Sequence, residues 1–164
     1  MTTPLHLFFN AFCCGTAALG FGLLFNSPSR AFLAIWIGGF VTGIIKFSIL
    51  FYLFPDSFIM ASFLAALSIG ILTIPAAHWR HVPPDVLSIP AVIPLIPGVF
   101  AYKTMMGLMK LTGDTKTGYA AILSDTVHYG TLTLFIVLSL ALGVSVPMRL
   151  LRVTTVKRLR FWNK

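Results

Sequence analysis

The chain has 164 residues, of which 57% are hydrophobic and only 10% are charged, and its formal net charge is +8 at pH 7. A soluble domain of this size carries about 25% charged residues, whereas a mean hydropathy of +0.92 is typical of a membrane protein. These values exclude a disordered chain, a disulfide-stabilised secreted domain and a conventional soluble enzyme. We therefore expect an all-α, polytopic integral membrane protein.

Five apolar segments follow one another along the chain, and each is long enough to cross a bilayer, which requires about 20 residues. The short polar or turn-forming stretches between them leave no room for a soluble domain. Prolines interrupt the fourth segment, so a four-span arrangement with a re-entrant fourth segment is the alternative to five spans. The segments are 5–25, 31–54, 57–77, 86–109 and 119–146.

Six of the twelve Lys and Arg residues follow the last apolar segment. We assign residues 1–152 to one transmembrane domain and 153–164 to a basic cytoplasmic tail that contacts anionic lipid. With five spans, the N-terminus is then outside, and eight basic residues lie on the cytoplasmic side against two on the other, as the positive-inside rule favours. The positive charge thus indicates a membrane orientation rather than nucleic-acid binding, for which no motif is present.

The fourth segment places three prolines and a glycine in the run 88–100. Each proline lacks an N–H and clashes with the carbonyl four residues earlier, so the helix must break. Unpaired backbone is tolerated in a bilayer only against protein or a hydrated cavity, and transporters aim such half-helix N-termini at anionic substrate groups. A proline kink used only for packing is the alternative. The predicted substrate-binding residues of the break are Pro94, Pro97, Gly98, Val99 and Phe100, with the second half-helix beginning near Pro97 and its first three amides free.

Lys46 follows Gly39 and Gly43 in the second segment, at a spacing that places all three residues on one helix face. The two glycines form a small-xxx-small pattern that favours close helix contact. A lysine inside a membrane segment marks a functional site by default. Snorkelling of its side chain toward the outer surface is the alternative interpretation.

Three further polar residues, Lys103, Asp125 and His128, lie at the depth of Lys46 in the five-span arrangement, and Tyr102 is nearby. Asp125 and His128 are three residues apart, so they share a face of the fifth segment. Imidazole changes charge in the physiological pH range, which suits proton coupling. A wet helix entrance for the aspartate and a packing role for the histidine are the alternatives. We expect one polar cluster that joins Lys46 to Tyr102, Lys103, Asp125 and His128.

Motifs of known enzyme classes are absent, and no residue pattern indicates a metal or another cofactor. With no glutamate in the chain, the sequence offers no pair of glutamates for acid–base chemistry. Cys13 and Cys14 are adjacent in an apolar run, where neither a disulfide nor zinc ligation is expected. We interpret them as small packing residues.

The run Ile89–Gly98, followed by Ala101 and Tyr102, and the later run Leu142–Pro147 resemble the small subunit of the split threonine/serine exporter family. The resemblance extends from about Phe25 to Arg152. The residues that match the proline-glycine run position by position are Pro90, Pro94, Pro97, Gly98 and Tyr102.

The resemblance implies a subunit of a secondary transporter that exports threonine, serine or another small carboxylate-bearing molecule across the bacterial inner membrane. It implies a larger partner subunit that supplies the other half of the exporter, and an oligomer. A dicarboxylate such as succinate is the alternative substrate. A non-transporting membrane scaffold is the alternative function. The polar cluster of Lys46, Asp125 and His128 is inferred from the residues and not from the resemblance.

Overall fold

The computed structural model describes residues 4–53, 57–113 and 118–161, with side chains up to residue 150. This part of the chain is all helical. Besides the α-helices it contains two 3-10 turns, Ser29–Ala31 and Ile93–Leu95, and one π-helical turn, Ile49–Leu53. The α-helices are α1 (Pro4–Leu24), α2 (Phe32–Ser48), α3 (Phe58–Arg80), α4 (Pro84–Val92), α5 (Gly98–Thr112) and α6 (Tyr119–Phe161).

The predicted spans are confirmed as helices. Within the described residues, four helical stretches are long and apolar enough to cross a membrane, and α4 and α5 form a fifth if the bent pair is one span. α3, α5 and α6 continue past the predicted C-terminal limits of their apolar segments, whereas α1 and the π-helical turn after α2 end one residue before theirs. The backbone of α6 continues into the region assigned to the tail, through Phe161.

The glycines of α2 allow its backbone to approach α1 closely, as the small-xxx-small pattern predicts. A Cβ added at Gly39 would lie 2.5 Å from the Cβ of Ala18, and one added at Gly43 would lie 2.9 Å from the Cα of Ala11. Cys14 packs in the same contact, since its Cβ would be 3.0 Å from the added atom at Gly43. Cys14 is therefore a packing residue, and both cysteines are free thiols.

The two halves of the broken segment pack against different helices. α4 lies among α1, α2 and α3, where Leu87 and Ala91 are buried. α5 leaves this group of helices and packs on α6, and none of its residues is buried. The break therefore lies where the chain passes from the α1–α4 group to the α5–α6 pair.

Leu95 ends the first half of the broken segment and is 0% exposed. It belongs to a hydrophobic cluster that joins the broken segment to α3 and α6. Ile45 of α2 and Phe100 of α5 pack against the same cluster. The buried members are Ala65, Ala66, Leu95, Ile136 and Leu140.

Candidate functional site

The predicted break is confirmed, and its geometry follows from the prolines. α4 ends at Val92, a 3-10 turn covers Ile93–Leu95, and α5 starts at Gly98 at an angle of 57° to the first half. Pro97 cannot donate to the Ile93 carbonyl, which instead accepts the N–H of Ile96 at 3.0 Å. The connecting residue Ile96 has an extended backbone with φ −60° and ψ 133°.

Two free amides face the break, rather than the three that the sequence predicts. The N–H of Gly98 donates to the Ile96 carbonyl at 2.9 Å, so this tight turn occupies it. Within the described ranges, the N–H groups of Val99 and Phe100 make no backbone hydrogen bond. The space beside Gly98 is open, since a Cβ added there would meet no atom within 4 Å. The N-terminus of α5 therefore presents two donors and the positive end of its helix dipole.

Lys46 reaches the break. Its Nζ donates to the backbone oxygen of Leu95 at 2.8 Å, a carbonyl that has no α-helical partner because the helix ends there. The side chain is half-buried and turns toward the end of the first half of the broken segment instead of snorkelling to the surface. Lys46 therefore places a positive charge where this half ends, at Leu95.

Thr42 makes a second contact between α2 and the broken segment, one turn before Lys46. Its hydroxyl lies 3.0 Å from the Gly39 oxygen and 3.4 Å from the Ala91 oxygen. Thr42 and Ala91 are both 0% exposed. Thr42 is not among the residues predicted from the sequence, although its position four residues before Lys46 on the same face was a usable signal.

A polar cleft of about 320 Å³ lies between α5 and α6. It brings together three of the predicted residues, Tyr102, Lys103 and Asp125, all of which are exposed. Lys103 also interacts with Tyr129, because its Nζ lies 3.5 Å from the phenol oxygen and 4.6 Å from the ring centre. The remaining lining residues are Met106, Gly107, Lys110, Ile122, Thr126 and Tyr129.

Aromatic rings connect the break to this cleft. Phe100, in the first turn of α5, contacts Phe58 of α3 edge-on with 5.2 Å between ring centres. On its other side it stacks on Tyr129 at 6.0 Å, and Tyr129 lines the cleft. The break and the cleft are therefore neighbouring sites that share a wall of aromatic side chains.

The expected polar cluster is thus divided between two places. Lys46 bonds to the Leu95 carbonyl and does not line the cleft that contains Lys103 and Asp125. His128 is exposed and rests its ring edge on Tyr129 at 5.5 Å, outside the residues that line the cleft. The hydropathy pattern predicts a similar depth for these residues, but depth does not set the direction in which each helix face points.

Comparisons with known proteins identify the family of the chain. The family described as Threonine/Serine exporter, ThrE, matches residues 10–150. An uncharacterised protein of Haemophilus influenzae is 28% identical over 145 residues, which cover 87% of this chain and 47% of that protein. The chain therefore spans about half the length of this curated relative. No solved structure matches. Since the family match covers most of the chain and includes the broken segment, the chain belongs to the threonine/serine exporter family.

Proposed function

We propose that this chain is a subunit of a secondary transporter that exports threonine and serine across the bacterial inner membrane. It works with a larger partner subunit, and proton movement drives export. The N-terminus lies outside and the C-terminus in the cytoplasm. The observation that supports the proposal most directly is the contact of Lys46 with the broken segment in a member of the exporter family.

The substrate carboxylate binds at the break. Lys46 supplies the positive charge, and the N–H groups of Val99 and Phe100 supply two donors from the adjacent helix end. An ammonium that already bonds to a carbonyl at 2.8 Å can turn to a carboxylate with a small change of its rotatable side chain. The interaction with an anion is stronger there than in water, because the surroundings are apolar.

The α5–α6 cleft provides the approach to this site. Lys103 attracts the carboxylate of the amino acid, whereas Asp125 attracts its ammonium group, and Tyr102 lines the same space. A zwitterion needs both charges, so the cleft suits an amino acid better than a dicarboxylate. Asp125 and His128 are the proposed proton-responsive residues, since they are the acidic and imidazole groups nearest to Tyr129 on α6.

The partner subunit covers α5 and completes the pathway. None of the residues of α5 is buried, although this helix carries the second half of the proposed site. Backbone at a break must be shielded from lipid by protein or by a hydrated cavity. The match to only 47% of the Haemophilus influenzae protein is consistent with a second half that lies outside this chain.

The test is efflux from proteoliposomes that contain this chain, the product of its neighbouring gene, or both. Threonine, serine and succinate are loaded separately, and efflux is measured with and without an imposed proton gradient. We expect gradient-dependent efflux of threonine and serine only when both subunits are present. Efflux of succinate alone would contradict the proposed substrate, and efflux of none of the three would contradict transport.

Lys46 is tested in the same assay. Lys46→Met keeps the length of the side chain and removes its charge, whereas Lys46→Arg keeps a donor for the Leu95 carbonyl. We expect Lys46→Met to lower efflux at least tenfold at equal subunit abundance, and Lys46→Arg to retain more activity. Equal efflux by Lys46→Met and wild type would show that the lysine only holds the break together.

A further inference from the structure

Ser62 of α3 has a buried hydroxyl that the fold does not use. The residue is 0% exposed, and its oxygen is inaccessible and has no hydrogen-bond partner among the described residues. Other buried hydroxyls donate to a carbonyl of the preceding turn, as Thr42, Thr73 and Ser139 do at 2.8–3.0 Å. The Ser62 hydroxyl lacks this common arrangement.

Helix geometry places Ser62 beside the break. Residues three or four positions apart share a helix face, so Ser62 lies on one face with Phe58 and Ile59 on one side and with Ala65 and Ala66 on the other. All four belong to, or pack against, the cluster around Leu95. Ser62 is therefore on the face of α3 that surrounds the residue whose carbonyl binds Lys46.

A buried hydroxyl without a partner destabilises the folded chain, because it loses its hydrogen bonds to water and gains none in return. Alanine would fill nearly the same space without that cost. A ligand that bonds to this hydroxyl would explain why a polar group stands at a position where it destabilises the empty site. The site is closed here, since Ser62 and Leu95 are both 0% exposed. A substrate can therefore reach the hydroxyl only when the helices around the break between α4 and α5 move apart.

We propose that Ser62 is a specificity-determining residue of the substrate site, where its hydroxyl bonds to the side-chain hydroxyl of a small hydroxy-amino acid. The inference rests on the proposed function and deepens it. Lys46 binds the carboxylate, and Ser62 recognises the hydroxyl. A site that hydrogen-bonds a substrate hydroxyl rejects the analogue without it, because its own buried polar group is then left unpaired.

The test compares efflux of serine with efflux of alanine, an amino acid of nearly the same shape that lacks the hydroxyl. Proteoliposomes contain both subunits and either wild type, Ser62→Ala or Ser62→Thr. Ser68→Ala is the matched control, because Ser68 lies on the same helix and its hydroxyl already donates to the Ala65 carbonyl at 2.6 Å. Wild type is expected to prefer serine over alanine. Ser62→Ala should reduce this preference about tenfold, Ser62→Thr should retain it in part, and Ser68→Ala should leave it unchanged.

The melting temperature of each purified complex separates recognition from folding. Ser62→Ala should melt at or above the wild-type temperature in the absence of substrate, and serine should raise its melting temperature less than it raises that of wild type. The inference would be overturned if Ser62→Ala kept the serine preference of wild type, or if it lost efflux of serine and of alanine equally. In either case, efflux by wild type would leave the proposed function intact. Failure of Ser62→Ala to assemble would assign the hydroxyl a structural role and overturn it as well. Absence of amino-acid efflux by wild type would overturn both proposals.

Discussion

At the scale of residues, the polar side chains of α2 stabilise the broken segment. A break in a helix leaves carbonyls without their usual N–H partners, and in a membrane no water replaces them. Lys46 binds the Leu95 oxygen, and Thr42 approaches the Ala91 oxygen four residues earlier. The two donors are one turn apart on α2, as are the two acceptors on the broken segment. This matched spacing holds α2 and the break in register.

Thr42→Val tests this register without changing the shape of the side chain. It removes a buried hydroxyl that contacts two carbonyls, and we expect it to lower the stability of the purified protein by about 1 kcal/mol. Thr16→Val is the control, because the Thr16 hydroxyl is exposed and bonds only within its own helix, to Phe12. Thermal unfolding in detergent measures both variants. Equal melting temperatures for the two would contradict a stabilising role of the contact with Ala91.

At the scale of elements, close contact between α1 and α2 depends on residues without bulk. Helices in lipid gain little from the hydrophobic effect when they associate, so small residues that let backbones approach supply much of the packing. Gly39 and Gly43 have this role toward Ala18 and Ala11. Because Lys46 lies one turn beyond Gly43, the same contact sets the height at which the lysine meets the break.

Gly43→Leu is expected to destabilise this contact. The new Cβ alone would lie 2.9 Å from the Cα of Ala11, and overpacking of this kind costs about 1–3 kcal/mol. Gly20→Leu is the control on α1, since an added Cβ there meets no atom within 4 Å. The fraction of protein that elutes as a single species, and its melting temperature, should fall for Gly43→Leu and not for Gly20→Leu. A similar loss for both variants would contradict the packing argument.

At the scale of the whole molecule, the other described helices of this chain leave α5 largely uncovered. It contacts α6 along one side, has no buried residue, and exposes Met105 and Met109 at 60% each. An exposed apolar helix face can simply contact lipid. Here the helix also carries Lys103, whose charge makes direct contact with the hydrocarbon of lipid costly. We therefore expect the partner subunit to lie against α5.

Photo-crosslinking tests that arrangement. A photoreactive amino acid in place of Met109 should form a covalent product with the larger subunit when both are expressed. The matched position is Leu24, which is 77% exposed on α1, a helix that packs on α2 and α4. Product at Met109 and little at Leu24 is the expected result, measured by the shift of the labelled band on a gel. Product at Leu24 alone would place the partner on the other side of the molecule.

Much of the architecture follows from the sequence alone. Hydropathy is a local property, so it located the apolar helices along the chain, and the chemistry of proline determined that the fourth segment breaks before Gly98. The glycine spacing of α2 predicted its close contact because that contact depends on the size of the residues themselves. The family also followed from the sequence, through the proline-glycine run.

Only the tertiary structure decided which polar groups meet. Lys46, Lys103 and Asp125 lie at similar depth in the sequence prediction, but the rotation of each helix about its axis depends on all of its neighbours. The structure turns Lys46 to the Leu95 carbonyl and separates it from the cleft of Lys103 and Asp125. It also shows that the hydroxyl of Ser62 has no partner in the part of the chain that the structure describes. No local pattern could indicate this, because the absence of a partner is a property of the packed helices rather than of the segment.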